Sequence, residues 1–492
     1  MTFQLFLQSA RFSLAIAAFG FSVLVSGPVY ANDLPDLGES ARAEMSPQLE
    51  RRIGESIMNQ IRLRERSYID DPEISDYLAR LGQRLVENSD NPTGEFHFFA
   101  IRENTVNAFA MFGGFIGINT GTILTAQSES ELAGVIAHEI AHVTQNHLAR
   151  QIAKEKQNTI PSLIAMAVGI LAARSNTSVA VGAVTSVQAG LIQSQLAYSR
   201  DFEREADRMG YQSLEKAGFD VRGMGDFFER LHKAGRLYEN NAPVYLRSHP
   251  LTLERLSDMQ NRAQESPYRQ VLGSLDFHLV RAKLRVQAET PRDAVTEFEK
   301  LLREKKYASR AAVDYGLSYA LLRARDVEGA RRASENLLAL SESSPIVAGL
   351  AADIRIASGD LSGALGIYRG ALHRFPQAKS LIYGHAEALH AARSYAQAVN
   401  FLEAQLQRDS SDYKLYGLQA KNHAAMGKRL QQHRAQAEYY FLQGLLGQAI
   451  EQLQFAQKAT DGSFHEQSAV DARLRELRKL QMEEDQRQKN GR

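Results

Sequence analysis

The chain has 492 residues, 44% of them apolar and 23% charged, enough for two or three folded domains and unlike a disordered chain. With 58 basic and 57 acidic residues, the net charge of +1 gives no sign of a nucleic-acid partner, which usually demands a basic face. The absence of cysteine excludes disulfides and a lipid-bearing cysteine.

The first segment, MTFQLFLQSAR, carries one basic residue and no acid. The apolar run FSLAIAAFGFSVLV follows, and SGPVYA then places Val29 and Ala31 at the −3 and −1 positions of a cut after Ala31. This is the pattern of a secretory signal peptide over residues 1–31. An uncleaved anchor is the alternative, but the run is shorter than the ~20 residues that span a bilayer. Residues 32–48 read as a polar, flexible leader. From Glu50 to about Asn88 the period is helical, with Ile53, Ile57 and Ile61 spaced four apart on one face. EFHFFAIRENTVNAFAMFGGFIGINTGTI changes to a strand-like composition and predicts two or three strands of a small sheet, with Gly113-Gly114 as a turn. Ser128 and Glu131 then form a capping-box pattern ahead of a helix that starts near Glu129. Residues 160–198 are apolar with few charges. They read as a buried helical hairpin, with a flap over the site or a peripheral membrane contact as the sharper alternatives.

Past residue 270 only helical patterns remain, and they repeat. Five segments begin around Ala294, Ala330, Ala364, Ala398 and Ala449, at intervals of 36, 34, 34 and 51 residues. A 34-residue helix-turn-helix period is the tetratricopeptide signature. The last interval must hold at least one extra helix. Residues 463–492 read as a charged helical tail.

The stretch HEIAHVTQNH carries the chemistry. On a helix His138 and His142 lie about 40° apart on one face, one turn above the other, so both imidazoles reach one metal ion. Glu139 completes the H-E-x-x-H pattern as the base that takes a proton from a metal-activated water. On a continuous helix His147 lies half a turn from His138, which predicts an ordinary surface or capping histidine. A catalytic zinc needs a third ligand and an open fourth position. In SRDFEREADRMG, Glu203 and Asp207 are again one turn apart. Glu203 is the natural third ligand, with Asp207 accepting the N–H of a ligand histidine. A solvated acidic helix paired with Arg200 and Arg204 is the alternative that spacing alone leaves open.

Taken in order, NAFAMFGGFIGINTGTI, HEIAH and SRDFEREADRMG resemble the HtpX / CAAX-prenyl-protease family of zinc metallopeptidases. The resemblance implies one Zn²⁺ held by His138, His142 and Glu203, with Glu139 as base and Asp207 behind. It also implies that the strand entered through Gly113 and Gly114 is an edge to which substrate backbone adds. Phe112 stands where many members have proline, which puts the shape of that entrance in doubt. By the same resemblance His249 sits over the zinc, where it would either fill the fourth position and hold the enzyme off or donate to the oxyanion. Arg255 is a weaker oxyanion candidate.

The fold class implied is α+β. A mainly helical, gluzincin-type peptidase domain with a small sheet covers residues 49–268, and an all-α tetratricopeptide solenoid covers 269–462. Export signal, protease core and repeats together are similar to a periplasmic branch of the family in Gram-negative bacteria. Its members act as protease and chaperone on outer-membrane β-barrel proteins. The partners implied are unfolded or stalled barrel proteins and, through the repeats, the barrel-assembly machinery. The competing reading is a protease-fold adaptor that works mainly by binding. An integral membrane protease would need several long apolar spans, and after residue 31 only short runs occur.

Overall fold

Proline and aspartate open the second helix of the chain and fix where the fold begins to close on itself. The computed structural model describes residues 46–155, 199–236, 244–267 and 269–490. The expected signal peptide, most of the leader and the apolar 160–198 stretch lie outside the described residues. Helix α1 (Pro47–Arg64) buries Ile53, Ile57 and Ile61, the face read from their spacing. Asp71 caps α2 (Pro72–Val86) by accepting from the backbone N–H groups of Glu73 and Ile74, and Pro72 starts the first turn.

Three strands follow: β1 (His97–Ile101), β2 (Ala108–Ala110) and β3 (Phe115–Asn119). Their order is β1-β3-β2, with β1 parallel and β2 antiparallel to β3. The turn Phe112–Gly114 joins β2 to β3. Gly113 and Gly114 have φ of 69° and 79° there, which L side chains rarely adopt. A Cβ on Gly114 would lie 2.1 Å from the Glu95 carbonyl oxygen, so both conformation and space require glycine.

After a short helix α3 (Thr120–Thr125) comes α4 (Glu129–Thr144), buried on every side from Glu129 to His142. Ser128 caps it through the Glu131 N–H. The Glu131 carboxylate does not return to Ser128 but accepts from the Gln127 N–H and from Arg230. The remaining peptidase helices are α5 (His147–Glu155), α6 (Arg200–Lys216), α7 (Arg222–Arg236), α8 (Val244–Ser248) and α9 (Leu253–Glu265). Helices α6 and α7 both pack on α4. Gly210 allows the first approach, since a Cβ there would stand 3.0 Å from the His138 backbone nitrogen.

The rest is helical. Pairs run α10 (Leu275–Ala288) with α11 (Pro291–Glu304), α12 (Arg310–Arg323) with α13 (Val327–Ser334), and α14 (Pro345–Ala357) with α15 (Leu361–Arg374). They continue as α16 (Lys379–Ala391) with α17 (Tyr395–Leu406), α18 (Tyr413–Ala425) with α19 (Arg429–Leu442), and α20 (Leu446–Lys458) with α21 (Phe464–Asn490). All five repeat alanines are 0% exposed. The first four lie in second helices, whereas Ala449 lies in the first helix of its pair. That shift of half a repeat explains the interval of 51 residues. Because Ala398 is fully buried, Ala398→Leu is expected to cost about 1–3 kcal/mol by overpacking. Urea unfolding followed by circular dichroism measures this; an unchanged midpoint would mean that the helices of the pair have room to part.

The first helices of the pairs turn toward α2. Lys283 on α10 reaches Glu73 and Asp71, Tyr315 on α12 reaches Glu73, and the Ser380 N–H on α16 reaches Asp76. Lys414 on α18 pairs with Asp70 at 2.5 Å. The inner face of the solenoid therefore holds a helix of this chain's own peptidase region. One hydrophobic cluster runs from Ile69 through the peptidase helices to Ile354, without a break near residue 268. Among the described residues no helix is long and apolar enough to cross a membrane.

Candidate active site

Helix α4 brings His138, Glu139 and His142 to one interior point, at 0%, 0% and 2% exposure. Helix α6, capped by Ser199, supplies Glu203 to the same point. His249, just beyond α8, supplies a fourth group; its backbone N–H bonds the Tyr245 carbonyl at 2.8 Å, and its ring stacks on that of Tyr245 at 4.5 Å.

The donor atoms converge. His138 Nε2 lies 3.0 Å from His142 Nε2, 3.3 Å from His249 Nδ1 and 3.5 Å from Glu203 Oε2. Glu203 Oε1 lies 3.4 Å from His142 Nε2 and 3.0 Å from His249 Nδ1. Ligands about 2.0–2.1 Å from a tetrahedral ion stand roughly 3.3 Å apart, so these spacings fit a metal ion. His138, His142, Glu203 and His249 form the group of potential ligands found among the described residues.

Electrostatics agree with the packing. Burial disfavours a charge on His138, but Asp207 and Glu203 beside it raise the group to about 10. Burial pushes His142 down to about 3. Burial alone would raise the Glu203 carboxyl, yet His249 with His138 and His142 holds it well below the usual carboxylate range.

Behind the ligands, Asp207 Oδ1 stands 3.0 Å from His138 Nδ1, a close polar contact on the side of the ring away from the other donors but not an aligned hydrogen bond. Arg255 clamps Asp207 through Nε and Nη2, at 2.6 and 2.8 Å, and meets Glu203 through Nη1 at 2.7 Å. With Nη1 also bonded to the Pro250 carbonyl, this guanidinium is engaged with both carboxylates and the chain behind His249. Glu139 differs from these groups. Both of its carboxylate oxygens are buried without a hydrogen bond, and His249 Nε2 stands 3.5 Å from Oε1.

The expectation for the glycine strand needs correction. β3 is the central strand, paired on both sides, and therefore offers no edge; Gly113 and Gly114 form the turn that leads into it. The edge that packs against α4 is β2. The Asn107 carbonyl accepts from the Asn119 N–H, and the Met111 N–H donates to the Phe115 carbonyl. The alternate residues Ala108 and Ala110 thus turn their backbone groups away from β3.

His147 is likewise not at the surface. Asn146 adopts φ of 53° and breaks the helix, so α5 starts in a new direction and His147 comes back over His142 with 0% exposure. Glu205 meets His147 and Arg150 in a layer behind His142. The signal for this was local: Asn before His in VTQNH is a left-handed stop that tolerates positive φ.

A model of peptidase family M48 matches residues 72–263, and a tetratricopeptide-repeat model matches residues 355–421. The chain is 33% identical over 460 residues to the Beta-barrel assembly-enhancing protease of Escherichia coli strain K12, covering 92% of each chain. It is 30% identical over 477 residues to the protein of that name from Yersinia pestis, covering 94% of this chain and 98% of the other. Metalloprotease YcaL of Escherichia coli strain K12 is 28% identical over 195 residues, 38% of this chain and 68% of the relative.

Proposed function

Since the chain belongs to the β-barrel assembly-enhancing protease family, with an M48 peptidase region and tetratricopeptide repeats, we propose that it is a periplasmic zinc endopeptidase and chaperone for outer-membrane β-barrel proteins. The metalloprotease role in outer-membrane protein assembly follows from the family. The observation that carries the mechanism is Glu139, a buried carboxylate with unpaired oxygens beside four converging metal donors. An unpaired buried carboxylate costs several kcal/mol, which a purely structural site would avoid.

In this reading His138, His142 and Glu203 hold the zinc. A bound zinc would polarise a water and the scissile carbonyl. Glu139 takes the proton of that water and delivers it to the leaving amine. Asp207 holds the His138 ring with its Nε2 toward the metal, and Arg255 holds both Asp207 and Glu203 in place. His249 stands among the donors, on the position that water or substrate needs. That placement supports a latched state, in which His249 must swing away before the site opens. β2 is the edge to which a substrate strand would add. Among partners, unfolded or stalled barrel proteins fit this edge. With α2 on the inner face of the solenoid, contact with barrel-assembly machinery falls to other faces of the repeats.

The test is degradation of a urea-unfolded outer-membrane barrel protein by the purified chain lacking residues 1–31. Cleavage should stop with a chelator and return on adding zinc. Cleavage that persists in chelator would overturn the metal mechanism. Equal cleavage of an unrelated unfolded protein would overturn the barrel-protein specificity.

A further inference from the structure

We infer that His147, backed by Glu205 and Arg150, is a positioning residue that fixes the proton of His142 and aims its ring at the metal. The inference rests on the metal-site reading above. His142 turns Nε2 to the other donors, which leaves Nδ1 for the opposite side. There Nδ1 meets His147 Nδ1 at 2.9 Å. Two ring nitrogens at that distance share one proton. An imidazole that binds a metal through Nε2 keeps its proton on Nδ1, so His142 donates and His147 accepts. The proton of His147 is then on Nε2, which donates to Glu205 Oε2 at 3.1 Å. Arg150 Nη1 holds that carboxylate at 2.8 Å, which completes the chain.

The chain is also rigid. The His147 ring stacks on Phe202 at 4.5 Å with planes 14° apart, and the Arg150 guanidinium lies over the same ring at 4.6 Å. Phe202 directly precedes Glu203, so α5 and α6 are tied together beside two of the ligands. The two ligand histidines thus have different supports. His138 leans on a carboxylate, whereas His142 leans on a neutral imidazole that itself leans on a carboxylate. Each raises ligand basicity and fixes ring orientation, effects that typically carry 10–100-fold in metal affinity.

The experiment measures zinc affinity of the chain lacking residues 1–31 by competition with a chromogenic chelator, and the visible spectrum of the cobalt-substituted protein. His147→Ala should weaken zinc about 10–100-fold. Glu205→Ala should weaken it on its own but add little in the His147→Ala background, because the relay is already cut. His147→Gln, whose amide can accept from His142 and donate to Glu205, should recover most of the affinity and the wild-type cobalt spectrum. Zinc affinity of His147→Ala within about twofold of wild type, or losses that simply add in the double variant, overturns the relay. Should circular dichroism show His147→Ala unfolded, His147→Gln with and without Glu205→Ala decides by the same criteria. Failure of the wild type to bind zinc or cobalt would instead overturn the metal site itself.

Discussion

Glu139→Gln is expected to lower turnover on an unfolded barrel protein by about 10²–10⁴-fold, the usual contribution of a general base. Zinc content should stay at one per chain, because Glu139 is not among the converging donors. The substitution is nearly isosteric and removes the only property the mechanism uses, the ability to take a proton. It should also relieve the fold, since a neutral amide is cheaper than an unpaired buried carboxylate. Thermal stability is therefore expected to be unchanged or higher while cleavage is lost. His142→Ala separates the roles in the other direction, losing metal and cleavage together. Normal cleavage by the Gln variant would mean that another group activates the water.

The contrast between Glu139 and His147 shows what a sequence can carry. Positions four apart on one helix share a face whatever surrounds them, so His138, His142, Glu203 and Asp207 could be placed in pairs by periodicity alone. That His138 and Glu203 meet is a tertiary fact, and only the resemblance supplied it. His147 was misplaced because one residue, Asn146 at φ of 53°, ends the helix on which the angular argument depended. The strand edge failed for a related reason. Composition marks Phe115–Asn119 as a strand but contains no record of which strands lie beside it, and both neighbours proved to be present. The alanine period was legible because a small side chain at every close helix contact is a local requirement repeated along the solenoid. The occupant of its inner face was not legible. Lys283 stands more than two hundred residues from Asp71 and Glu73, and each alone reads as an ordinary surface charge.

Those three residues give the second large effect. Lys283 Nζ lies 2.6 Å from Glu73 Oε2 and 2.8 Å from Asp71 Oδ2, and the Tyr315 hydroxyl is 3.3 Å from the same Glu73 oxygen. Burial pushes the Glu73 carboxyl up to about 7, although Lys283 pulls it down. Removing one partner of a buried pair leaves the other charge uncompensated, at a cost of about 3–5 kcal/mol. Lys283→Met is therefore expected to destabilise the docking of α2 on the solenoid by that amount at neutral pH. Urea unfolding by circular dichroism should then separate into two transitions, because the buried contacts of Lys283 and Tyr315 with Asp71 and Glu73 tie α2 to the solenoid. The sign with pH follows from Glu73. A carboxyl raised in the folded state gains relative stability as its acid form, and that gain is lost as pH rises through about 7. Once protonated, Glu73 needs no counterion, so the loss in Lys283→Met should shrink toward pH 5 and grow toward about pH 8. The double variant Glu73→Gln with Lys283→Met should recover most of the stability, since neither unpaired charge remains at Glu73 or Lys283. A Lys283→Met protein that unfolds like the wild type at pH 8 would place the hold between the two regions in the apolar cluster alone.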